Sequence, residues 1–288
     1  MISGYNYLKT FNHTTKNIYE SFDIGCSHEK KAKIYVHDCN TSSSNTFIVF
    51  NPRNEYLQNL YHSMEEIFSL YQTAKILKTD IKLMDVVFIN PKTVNTRYIE
   101  LFKLLVRNVY IRKSISKKLC YIEPLRACSG SYLPLSWSPI TAKIDLLSLD
   151  IVNHMMRNIP IQPPKQILLM TRQSANYRKL TRKYFFLKCL NKTKYNVKLF
   201  QNLKEITMKQ QIKLVAESYA LIGPHGAGLT LGMFLPPRGI LVEISDIQNV
   251  TFRSVNNIYR NIAHFTNHKH YYLNTYERTC NRLLSILC

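Results

Sequence analysis

The chain has 288 residues, 45% of them hydrophobic, enough for one large domain or two of ordinary size with a real core. Its 39 Lys and Arg against 18 Asp and Glu give a net charge of +21, an excess that favours anionic partners. The basic residues are scattered, with modest clusters at Arg112–Lys118 and Arg178–Lys183 and no interleaved aromatics, so a nucleic-acid partner is not expected.

No apolar run reaches the length of a membrane span, and the N-terminus lacks the basic-then-apolar order of a signal peptide. Taken alone, this leaves a cytosolic chain or a fragment without its targeting segment. Cysteines stand at 26, 39, 120, 128, 189, 280 and 288 with no C-x-x-C pair, which argues against a structural zinc site. A bridge between Cys120 and Cys128 is sterically open, as is one between Cys280 and Cys288 if their segment is not one continuous helix.

Residues 1–45 read as polar and irregular, with a strand-like piece at 32–37. A strand is expected over Thr46–Phe50, a helix over Leu60–Leu77, one or two strands over Ile81–Ile89, a helix over Tyr98–Val106 and a strand over Asn108–Ile111. Loop and strand follow over 120–134, then a helix over Asp145–Met156. The proline-rich run at 159–165 is the best linker candidate, which sets the expected domains at 1–157 and 158–288.

The second half alternates strand and helix: strand Gln166–Thr171, helix Thr181–Asn191, strand Asn196–Leu199 and helix Met208–Glu217. A buried strand at Tyr219–Ile222 then runs through a glycine turn into an apolar helix over 229–235. The Pro236-Pro237-Arg238-Gly239 stop comes next, followed by a buried strand at Ile240–Ile244. A strand over His264–Tyr272 and a helix over Thr275–Leu287 close the chain. The expected fold class is α/β, two Rossmann-like doubly wound domains facing a cleft.

The run Gly223-Pro224-His225-Gly226-Ala227-Gly228-Leu229-Thr230 is the densest signal. A strand, a glycine turn and a helix make an anion site, because the helix's first amides lack intrahelical partners and glycine lets an oxyanion approach the backbone. It is neither the dinucleotide fingerprint nor a Walker A loop, and a purely structural turn is the competing reading. Arg172 ends a predicted buried strand of the same sheet, and Arg178 follows in a basic loop; arginine grips phosphate oxygens bidentately. Glu243 ends another buried strand and must find partners, either sugar hydroxyls or a salt bridge such as one to Arg238. His62 and Glu66 stand four apart at the head of the first long helix, a spacing that suits a general base beside its carboxylate or an ordinary surface pair.

These segments together resemble glycosyltransferase family 61. The Gly223–Thr230 run, the Phe234–Pro237 stop and Val242-Glu243-Ile244 are similar to its signature, Thr171-Arg172 with Tyr177-Arg178-Lys179 to its arginine segment, and Asn59-Leu60-Tyr61-His62 to its N-terminal motif. Within the family, the chain resembles most the EGF-domain-specific O-GlcNAc transferase branch. The resemblance implies a GT-B fold and an inverting transfer of a sugar, GlcNAc foremost, from a UDP-sugar to a protein Ser/Thr or glycan hydroxyl. It also implies work in the ER or Golgi lumen.

On that resemblance His62 with Glu66 is the base, and Arg172, Arg178, Gly223, His225, Gly226, Ala227, Gly228, Leu229 and Thr230 bind the donor: Arg172, Arg178 and the helix head at Gly226–Thr230 take the diphosphate, His225 the donor sugar or phosphate, and Glu243 the ribose. No D-x-D motif occurs, so no metal or other cofactor is expected beside the UDP-sugar co-substrate. A catalytically inactive GT-B domain that binds glycans or partners is the alternative.

Overall fold

The computed structural model describes residues 59–76, 78–88, 98–111, 146–172, 180, 182–201, 205–245, 257–274 and 279–287, together with short strand pieces at 19–20, 33–34, 42–43, 46–49, 120–121 and 124–126. Two compact units divide at Gly130 and Ser131.

In the N-terminal unit, strands β1 (Thr46–Val49), β2 (Asp85–Phe88), β3 (Asn108–Ile111) and β4 (Pro124–Arg126) form a sheet in the order β3-β2-β1-β4. Every neighbour pair is parallel. Helix α1 (Leu60–Ile76) crosses from β1 to β2, and the short α2 (Ile99–Lys103) precedes β3. Part of the segment read as strand, Ile81–Leu83, is instead a 3₁₀ turn that Asp80 caps by accepting from Lys82 N–H at 3.0 Å. Core-facing α1 residues include Met64, Ile67, Phe68, Leu70 and Tyr71, all buried. Asp85 is buried and takes a bidentate grip from Arg107, at 3.0 and 2.8 Å, with Asn108 adding a third bond. A buried carboxylate so satisfied is an architectural pair.

The C-terminal unit is a five-stranded parallel sheet of β5 (Gln166–Met170), β6 (Asn196–Phe200), β7 (Ser218–Pro224), β8 (Ile240–Ser245) and β9 (Lys269–Asn274). The spatial order is β6-β5-β7-β8-β9. The first strand thus lies between the second and third, so the winding reverses between β5 and β7. Helices α4 (Lys183–Leu190) and α7 (Thr279–Leu287) pack together on one face, over Ile167, Leu169, Ile222, Val242 and Ile244. A disulfide joins Cys189 of α4 to Cys280 of α7. The Cys280–Cys288 bridge left open by the sequence is therefore excluded, and Cys128 lies outside the described residues. The opposite face carries α5 (Met208–Ala216), α6 (Asn257–Phe265) and a 3₁₀ helix over Ala227–Phe234.

Three sequence expectations change here. Helix α3 (Leu146–Met156), assigned by sequence to residues 1–157, belongs to the C-terminal unit, where it packs on α6 and the 3₁₀ helix. The proline-rich run at 159–165 is therefore no domain linker. It is tied to the end of α5: Gln162 N–H donates to the Glu217 carboxylate at 3.0 Å and Lys165 N–H to the Glu217 carbonyl at 3.2 Å. The strand expected over His264–Tyr272 begins only at Lys269, because α6 occupies the residues before it. Its apolar positions 258, 259, 262, 263 and 265 carry a helical repeat that was there to be read.

Candidate functional site

Strand β5 ends at Met170 and β7 at Pro224, so Arg172 and His225 both stand at carboxyl ends of the two strands that flank the reversal. Open parallel sheets hold their ligands at this crevice. Arg172 takes a left-handed backbone, φ 50°, and its Nη1 donates to the His225 carbonyl at 2.7 Å. That bond spans the crevice and pins the guanidinium over Gly226.

Gly226 has φ 157° and ψ 165°, a region open in practice only to glycine. A Cβ there would sit 2.0 Å from Arg172 Nη1. Backbone shape and the closeness of the cation thus both require glycine. Gly223 answers a different need, since a Cβ on it would meet Met170 Cβ at 2.8 Å and force β7 from β5.

The helix expected after the turn is wound as a 3₁₀ helix. Its first internal closure is Leu229 N–H to the Gly226 carbonyl at 2.9 Å. The amides of Ala227 and Gly228 precede that closure and head the helix with no acceptor inside it. His225, Ala227, Gly228 and Arg172 are partly exposed, whereas Gly223, Leu229 and Thr230 are buried. Those three, read as donor contacts from the sequence, lie beneath the turn, and the enclosed Thr230 hydroxyl has no partner among the described residues. Arg178 lies outside the described residues.

Glu243 has partners that the sequence reading did not pair with it. It is wholly buried and accepts from two imidazoles: His225 Nδ1 on one oxygen and His270 Nε2, at 3.3 Å, on the other. Strand alternation explains why. Ile240, Val242 and Ile244 point into the α4/α7 core, so Glu243 points to the other face, beside His270 on β9. The salt bridge to Arg238 offered by the sequence is not formed, because both carboxylate oxygens are held by the two imidazoles. Burial pushes its carboxyl upward, but the hydrogen bonds from His225 and His270, with their charge, outweigh burial and hold it below the ordinary carboxylate range. His270 was missed by the sequence reading; its alternation with Tyr272 on a strand pairing with Glu243 was the available signal.

In the N-terminal unit, the Asn59 side chain accepts from Tyr61 N–H at 3.0 Å and so caps α1. His62 is the third residue of that helix. Its Nδ1 meets Glu65 Oε2 at 2.7 Å, a partner three residues on instead of the expected Glu66. The burial pattern is the reason. His62 and Glu65 share the half-exposed stripe of α1, while Glu66, 6% exposed, turns to its buried side. Among the described residues no cluster of His, Cys, Asp and Glu has the geometry of a metal site.

A doubly wound parallel sheet with an arginine and a glycine turn at its reversal defines an α/β protein. The glycosyltransferase 61 family model matches residues 30–242, and the chain belongs to that family of glycosyltransferases. That span includes His62, Arg172 and the whole glycine turn. No curated protein matches the chain.

Proposed function

We propose that this glycosyltransferase is a UDP-sugar-dependent, inverting enzyme that moves GlcNAc to a protein Ser/Thr or glycan hydroxyl, in the EGF-domain-specific O-GlcNAc transferase branch of its family. One observation carries the donor half: Arg172 reaches across the sheet reversal to the His225 carbonyl and lies over Gly226, so a fixed cation and two helix-head amides belong to one site. A diphosphate is the leaving group such a site stabilises as charge develops. In this reading the two units are the acceptor-side and donor-side halves of a GT-B enzyme, and His62 takes the acceptor proton, with Glu65 holding its Nδ1. The Cys189–Cys280 bridge supports work in an oxidising compartment such as the ER or Golgi lumen.

The test is calorimetric titration of UDP, UDP-GlcNAc, UDP-xylose and UDP-arabinose against wild type and Arg172→Ala. Micromolar UDP binding, strongest with the GlcNAc donor and about 100-fold weaker in the variant, is expected. Indifference of the wild-type protein to every uridine nucleotide would sink the reading. Nucleotide binding without any sugar turnover, by hydrolysis or transfer, would favour the inactive glycan-binding alternative.

A further inference from the structure

Four Asn-x-Ser/Thr tripeptides stand in the chain, at Asn12, Asn40, Asn191 and Asn249. Such a tripeptide accepts an asparagine-linked glycan where its asparagine is reachable and the chain passes through a secretory compartment. Only Asn191-Lys192-Thr193 falls wholly within the described residues, and its placement meets both conditions. Asn191 caps the C-terminus of α4, just outside the last helical residue, Leu190. Asn191, Lys192 and Lys194 are exposed. Cys189, two positions earlier, is held in the bridge to Cys280. Bridge and tripeptide thus point to one compartment through independent chemistry.

The fold also keeps this position clear of the crevice. β5 ends there, α4 returns along the sheet, and β6 starts at Asn196. Asn191 therefore lies at the amino ends of the strands, away from Arg172 and the glycine turn at their carboxyl ends. A five-residue strand such as β5 separates the two ends by roughly 16 Å. The buried side of α4, formed by Phe186, Cys189 and Leu190, faces the sheet and α7. A sugar chain leaving the exposed Asn191 meets neither that core nor the crevice.

We propose that Asn191 is a modification site that carries an asparagine-linked oligosaccharide. This rests on the luminal placement in the reading above, not on the donor site. The side-chain nitrogen forms a bond to the anomeric carbon of a lipid-linked oligosaccharide diphosphate as the bond from that carbon to the phosphate oxygen breaks. The electron pair passes to the phosphate oxygen, and the amide proton passes to a base of the modifying enzyme. In the folded turn the Thr193 hydroxyl donates to the Leu190 carbonyl at 2.7 Å, and Thr193 N–H donates to the same carbonyl at 2.9 Å. The hydroxyl that the modifying enzyme reads is thus engaged once the turn closes, so attachment precedes closure. Cys280 lies 91 residues beyond Cys189, and the growing chain exposes Asn191 before that bridge fastens α4 to α7.

The full chain, delivered to the secretory pathway of cultured eukaryotic cells behind a cleavable leader, tests this. Treatment with peptide N-glycosidase in heavy-oxygen water should convert Asn191 to labelled Asp in peptide maps of the folded protein. Asn191→Gln and Thr193→Ala should each lose one glycan's step in gel mobility, and Thr193→Ser should keep it. The wild-type map decides even where a variant does not fold. Recovery of Asn191 unmodified from the folded, bridged protein overturns the proposal, as do free Cys189 and Cys280 thiols in protein taken from its own cells. Failure of the wild type to bind UDP would fault only the donor-site reading, a separate outcome.

Discussion

The two units place a histidine after a strand of a parallel sheet, and they hold it in opposite ways. His225 is gripped by partners on β8 and beyond β5, its ring set against a buried charge. His62 depends on its own helix: Asn59 caps the first turn and Glu65 holds the ring from three residues along. The first arrangement draws on separate strands of the sheet, while the partners described for the second lie within seven residues of chain. In the proposed reading, the group that binds charge is built from several strands, and the group that takes up a proton from a helix end and a carboxylate.

That contrast can be broken by mutation. The largest effect is expected for His62→Ala, which should lower kcat about 1000-fold and leave UDP affinity unchanged, read by transfer kinetics beside calorimetry. Normal turnover in this variant would remove His62 from the chemistry. Gly226→Ala should act the other way, weakening UDP binding about 100-fold, because its new methyl group collides with Arg172. Calorimetry on the folded variant checks it, and unchanged affinity would mean that the turn does not carry the nucleotide.

A third test sharpens the difference in burial. Burial holds the His268 imidazole down to about 4, far below its ordinary value. Above pH 6.5 the ring is neutral whether folded or unfolded. Between pH 6.5 and 4 only the unfolded chain takes up the proton, so stability falls as pH falls through that window, by on the order of 2 kcal/mol. Denaturant midpoints measured across pH 4–7 should slope in wild type and flatten in His268→Gln. The smallest effect belongs to the local device: Asn59→Ala should cost about 1 kcal/mol in unfolding experiments, the worth of one helix cap.

How much was legible in the sequence follows the same division. Helix α1 and strand β3 fall within a residue of their expected bounds, since each follows from its own apolar period. The glycine turn and Arg172 were legible because strand ends and turn residues mark themselves. The partner of His62 was read one position off, because the 3.6-residue repeat alone does not say which of positions 65 and 66 faces the core. The partners of Glu243 were not legible at all. Its two partners stand 18 and 27 residues away, and which residues flank it depends on strand order and register.

The order of residues by itself determined the alternation of strands and helices, the glycine at 226 and the family, because periodicity, turn chemistry and motif spacing act over short stretches of chain. Only the tertiary structure decided that the sheet reverses between β5 and β7, that α3 packs with the second unit, that Cys189 joins Cys280, and that Glu243 serves two histidines. Those outcomes depend on which distant segments become neighbours, and burial then dictates how each enclosed charge is satisfied.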